Sequence, residues 1–162
     1  MERIRLEEMT PEQFDAYRDE CDSRSAAEFR CRREMCAIEL SDIADDLGVR
    51  LDTAKRWENP KKGMPPSPRA WAYVDSAYYD LLDAVEAAIR QVEETEDELG
   101  EPSAVRVAYR RGKQLTRDGQ TVDRANAVAR AAVLALRVLG YDAEVEWADE
   151  GAAGLAARAH RE

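Results

Sequence analysis

Between Pro68 and Pro102 the residues Trp71, Val74, Tyr78, Leu81, Val85, Ala88 and Val92 recur every three or four positions, which is the spacing of one buried face of an α-helix. Ser67-Pro68 supplies the start, a capping hydroxyl followed by proline at the first helical position. Gly100-Glu101-Pro102 supplies the stop, so the helix is expected to reach about Leu99. Roughly 30 residues at ~1.5 Å each make a rod longer than a small bundle is wide. Its first half is therefore expected to complete a bundle through Trp71, Val74 and Tyr78, and its second half to run out of it. The chain is organised by what lies on either side of this rod.

On the N-terminal side, Ile38 to Glu58 reads IELSDIADDLGVRLDTAKRWE. Ile43, Leu47, Val49, Ala54 and Trp57 are the apolar points of two short helices, about Glu39 to Leu47 and Leu51 to Asn59. Gly48, lacking a Cβ, lets the chain turn between them. Folded together, the helices would bury Ala44, Leu47, Val49, Ala54 and Trp57 and leave Arg50, Leu51, Asp52, Thr53, Lys55 and Arg56 outside. A plain antiparallel helix pair with a solvated charged face would show the same periodicity. The layout nevertheless matches a helix-turn-helix, whose outer row faces the major groove of DNA.

Ala44, Leu47-Gly48-Val49, Thr53, Arg56-Trp57-Glu58-Asn59, Lys61-Lys62 and Pro65-Pro66 together resemble the lambda-repressor and Cro type of helix-turn-helix regulator, often called XRE-like. The resemblance covers roughly residues 28 to 82. It implies operator binding by a dimer, with the second helix of the motif in the major groove. It also implies a salt bridge between Arg33 and Glu58, from the first helix to the end of the recognition helix, with Trp57 in the core. Three positions depart from the pattern. Leu40 stands where a glutamine is frequent, Arg50 where a capping Ser or Thr is frequent, and Pro60 where a glycine usually follows, with Gly63 three residues later. The phosphate contact and the cap at the first two positions therefore do not carry over, and the loop is altered.

Within that frame Arg56 is the expected base contact, because a guanidinium donates two parallel hydrogen bonds to guanine. Arg50 and Lys55 are expected at phosphate or base. Asp52 would cap the helix or accept from a cytosine amino group, and Leu51 would meet a thymine methyl. Lys61 and Lys62 are expected at phosphate. Arg32, on a preceding helix from about Ser25 to Met35, would reach phosphate too. Ahead of that helix, Thr10-Pro11-Glu12-Gln13 is a start signal for a short helix carrying Phe14 and Tyr17 on one face.

Beyond Pro102 the period changes. Val105, Val107 and Tyr109 alternate with Arg106, Ala108 and Arg110, and Ala143, Val145 and Trp147 alternate with Glu144, Glu146 and Ala148, as in half-buried strands. Between them Val122, Ala125, Ala129, Ala132, Leu136 and Leu139 share one face of a helix from about Thr121 to Leu139, ended by Gly140. Arg106 and Arg110 would pair with Glu144 and Glu146 across the exposed face, setting register more than stability. A two-stranded sheet is barely stable alone, so a second copy is expected to supply either more sheet or an alanine-lined helix pair.

The expected fold is mostly α: a helix-turn-helix bundle of four to five helices, a long connecting helix and a small strand-helix-strand dimerisation segment. The expected domains are an N-terminal extension over 1–24, a DNA-binding region over 25–100, a dimerisation region over 101–150 and a tail over 151–162. This order also resembles that of the anti-CRISPR-associated regulators, small dimeric repressors.

Composition bounds the function. The net charge of −10 opposes phosphate binding if taken globally, but residues 70–101 alone hold one basic and ten acidic residues, while residues 28–69 hold nine basic and eight acidic. The acidic helix is expected to project away from DNA. Cys21, Cys31 and Cys36 have no CxxC spacing, and His160 is the one histidine. The expectation is reduced thiols, no metal and no cofactor. No apolar run approaches the ~20 residues of a membrane helix, and MERIRLEEM lacks a signal-peptide core, so a cytoplasmic protein without membrane contact is expected. There is no glycine-rich phosphate loop and no nucleophile with a base, so an enzyme is not expected. The expected function is a homodimeric transcriptional regulator, a repressor on double-stranded DNA with an inverted-repeat operator. The alternative is an antitoxin-like protein-interaction module, with the acidic helix or an exposed strand edge engaging a protein partner.

Overall fold

The computed structural model describes residues 4–100, 104–112 and 121–148. The chain is mostly helical with one small parallel sheet, in the order α1 (Pro11–Ser23), α2 (Ala26–Met35), α3 (Leu40–Leu47), α4 (Leu51–Trp57), α5 (Pro68–Leu99), β1 (Val105–Tyr109), α6 (Val122–Val138) and β2 (Ala143–Trp147). It divides into two compact units, Met1–Asp80 and Leu81–Glu162. The boundary expected near residue 100 thus falls inside α5 instead. Val92 and Ile89 explain the difference, because they pack into the core that the C-terminal strands and α6 form.

In the first unit the start signals act as their chemistry requires. Thr10 and Gln13 form a reciprocal capping box on α1, Ser25 caps α2 through Glu28 N, and Ser67 Oγ accepts from Ala70 N at the head of α5. Each satisfies backbone N–H groups that a helix start leaves without partners. The core gathers Phe29, Ile38, Ile43, Ala54, Trp57, Trp71 and Val74, all buried. Phe29 meets both tryptophans edge-on, with ring centroids 6.0 Å from Trp57 and 5.1 Å from Trp71. The segment 1–24, expected to be a separate extension, is part of this unit, since Tyr17 and Cys21 of α1 are buried in it.

In the second unit β1 and β2 run parallel, with Val105 opposite Ala143, Val107 opposite Val145 and Tyr109 opposite Trp147. Parallel pairing needs a long crossover, which α6 provides. One sheet face is apolar, and Val105, Val107 and Ala143 bury against Val92 of α5 and Ala129, Val133 and Leu136 of α6. The alanine face of α6 is therefore spent inside the unit and is not left for a partner. On the other face Arg106 lies 3.9 Å from Glu144 and 3.8 Å from Glu146. Arg110, expected to join that pairing, falls beyond the strand, where its backbone N–H and carbonyl are both held by the Asn126 side chain at 2.9 and 3.0 Å. The Pro102 stop, the 151–162 tail and His160 lie outside the described residues.

Candidate functional site

The α3–α4 pair is the best-defined candidate. At the end of α3, Gly48 takes a left-handed backbone, φ +65°, a conformation in which a side chain is strained. This lets Val49 N reach Ala44 O at 2.9 Å and close the helix. Arg50 is extended, and its carbonyl accepts the first α4 bonds from Thr53 N and Ala54 N. No side chain caps α4, so the capping role considered for Asp52 is not taken up. Ala54 and Trp57 are fixed inward, Leu47 and Val49 are half-buried, and Arg50, Leu51, Asp52, Lys55 and Arg56 are exposed, with Thr53 intermediate. Helix α4 is shorter than expected. It ends at Trp57, and Asn59 instead caps a 3-10 turn over Pro60–Lys62 that closes at Gly63 and presents Lys61 and Lys62 to solvent.

Glu58, just past the end of α4, is tied to α2 by Arg33 and, at 3.9 Å, by Arg30. Arg33 Nε donates to Glu58 Oε1 at 2.6 Å, with both side chains about nine-tenths buried. Arg33 Nη1 also donates to Ile38 O at 2.6 Å. That carbonyl follows Ala37, the one non-glycine residue with positive φ (52°) among the described residues, a conformation that costs of order 1 kcal/mol or more. Arg33 thereby holds a strained turn and the foot of α4 at once.

Arg32 does not join the outer row. Its guanidinium turns inward, 2.8 Å from Asp75 Oδ1 and 2.7 Å from Glu28, and stacks over the Tyr78 ring at 4.9 Å. This corrects the expectation that Arg32 reaches phosphate. Asp75 is fully buried and also receives Arg24 Nη1 at 2.6 Å and the Tyr17 hydroxyl at 3.1 Å. The sequence reading passed over Asp75, although an acid one position after Val74, on the inward stripe of α5, was the available signal. Burial raises the Tyr17 phenol well above its ordinary titration range, and the neighbouring carboxylate of Asp75 adds to the shift.

Cations are thus sorted. Arg24, Arg30, Arg32 and Arg33 are engaged by carboxylates. By contrast, among the described residues no carboxylate forms an ion pair with Arg50, Lys55, Arg56, Lys61 or Lys62. Among the described residues there is also no cluster of three or more metal-ligating side chains, and no helix long and apolar enough to cross a membrane. Compared with models of known families, with curated proteins and with solved structures, the chain matches none.

Proposed function

We propose that the protein is a cytoplasmic, sequence-specific DNA-binding regulator, a homodimeric repressor that sets α4 in the major groove of an inverted-repeat operator. The observation that carries this reading is the sorting of charge around α3–α4. The bundle neutralises its own inner arginines, while Arg50 ahead of α4, Lys55 and Arg56 on it, and Lys61 and Lys62 in the next turn stay exposed on a scaffold fixed by Trp57 and the Arg33–Glu58 pair. A guanidinium on a rigid helix suits guanine, and lysines in a flanking turn suit phosphate. Exposed Leu51, beside them, offers an apolar contact for a thymine methyl.

The test is selection of bound duplexes from a random DNA pool, followed by band shifts with two variants. Arg56→Ala is expected to lose about 1–3 kcal/mol and to relax one base position, whereas Lys62→Ala weakens all sequences alike and lowers the salt slope by about one. Recovery of no enriched sequence, or an Arg56→Ala protein that binds like wild type, overturns the assignment.

A further inference from the structure

Between Glu58 and Asp75 the chain carries Lys61, Lys62 and Arg69 and no acid. Both flanking carboxylates are committed inside the bundle, Glu58 to Arg33 and Asp75 to Arg24 and Arg32. All three cations are exposed, and among the described residues no carboxylate forms an ion pair with any of them. Lys61 and Lys62 already belong to the outer row. Arg69 does not, and nothing in the helix-turn-helix pattern points to it.

Arg69 is the second residue of α5, where the fold gains nothing from its charge. A cation in the first turn opposes the partial positive charge of a helix start. The positions one turn on, where an acid would pair with it, are Ala72 and Tyr73. Two contacts nevertheless fix the head of α5 beside the α3–α4 pair. Trp71 meets, at 5.1 Å, the same Phe29 ring that Trp57 at the end of α4 meets at 6.0 Å. Tyr73 donates its hydroxyl to Asp46 Oδ2, near the end of α3, at 2.7 Å. Arg69 and Tyr73 are four residues apart and share a face of α5. Arg69 therefore stands on the side turned to α3–α4, one turn closer to the connection that carries Lys61 and Lys62.

We propose that Arg69 is a further phosphate contact of the DNA interface, extending the Lys61–Lys62 pair along the backbone of the duplex. This rests on the DNA-binding reading and enlarges the interface beyond α4 and the turn that follows it. With α4 in the major groove, the chain beyond its end meets the phosphates that border the groove, and Arg69 closes that segment. The guanidinium suits the role, since its planar fork donates two parallel hydrogen bonds to a phosphate. A phosphate contact reads no base. Removing it costs affinity on every sequence and leaves the order of preference among sequences unchanged.

The experiment compares the full-length chain as wild type, Arg69→Ala, Arg69→Lys and Arg69→Glu in band shifts across a salt series. The probes are a duplex selected from the random pool and a shuffled duplex of the same length, and each protein is also melted thermally. Arg69→Ala is expected to weaken both duplexes by the same factor and to lower the salt slope by about one. It is expected to melt at or above wild type, because a charge opposed to the helix is gone. Arg69→Lys keeps the slope. Arg69→Glu binds more weakly than Arg69→Ala yet melts no lower, since an acid suits the first turn. An Arg69→Ala protein with wild-type affinity and slope overturns the proposal and leaves the DNA reading standing. So does a loss confined to the selected duplex, which makes Arg69 a base contact, or a melt well below wild type, which makes it part of the fold. A wild type that retains neither duplex overturns the DNA reading and the role of Arg69 with it.

Discussion

Helices α4 and α6 each bury one face and turn the other to solvent, and they differ in what they show. The outer face of α4 carries Lys55 and Arg56, with Arg50 just ahead of it, while the outer face of α6 carries Leu134 and Val138. Exposed charge costs an isolated chain little, so α4 is complete without a partner. Exposed aliphatic surface leaves roughly 25 cal/mol per Å² unrealised, so covering α6 would add stability in a way that covering α4 would not. The contrast extends to the units. The first closes its core with Phe29, Trp57 and Trp71 and buries a charge cluster around Asp75; the second leaves part of a sheet face bare.

The largest effect that sharpens this comparison is expected at Asp75. In Asp75→Ala the guanidiniums of Arg24 and Arg32 stay buried without their shared carboxylate, a loss of about 3–5 kcal/mol for a broken buried pair. Calorimetry should show the transition of the first unit falling while that of the second holds. A variant as stable as wild type would mean that Asp75 does not support the bundle.

A smaller effect separates the units by mass action. If a second copy covers α6, each tenfold rise in protein concentration stabilises the second unit by about 1.4 kcal/mol per pair of chains, while the first unit does not respond. Melting curves across a hundredfold range of concentration check this, and two concentration-independent transitions would break the comparison.

The smallest effect concerns pH. The Tyr17 titration is raised in the folded chain, first by burial and then by Asp75, so the neutral phenol is the form the fold prefers. Its contribution is intact below the ordinary tyrosine range near pH ~10 and is lost as the pH climbs beyond it. Wild type should therefore lose stability more steeply than Tyr17→Phe above pH ~10, even though the variant forgoes about 1 kcal/mol of hydrogen bonding at neutral pH. Parallel alkaline curves would remove Tyr17 from the account.

Much of this architecture was legible because local chemistry wrote it. Thr10-Pro11 and Ser67-Pro68 marked helix starts, the three-and-four spacing marked α5, and alternation marked both strands. The outward row of α4 followed from Ala54 and Trp57 sharing the inward face. Contacts between distant residues were not legible. Nothing near Arg32 reveals that Asp75, 43 positions away, draws it inward. The alternation in β2 marks Val145 and Trp147 as inward-facing but says nothing about whether anything covers them. The alanines of α6 read as a docking stripe, yet small side chains serve close helix-to-sheet packing equally well, and the sheet takes them.

Asn126 shapes the end of β1. By accepting from Arg110 N and donating to Arg110 O, its amide imitates one residue of an adjoining strand and fastens the chain after β1 to the first turns of α6. The crossover is thus latched at its near end by a single side chain, and β1 can neither lengthen past this point nor slip against its neighbour without undoing the latch. A carboxylate of the same shape would hold the amide hydrogen but repel the carbonyl, turning the latch into a spring.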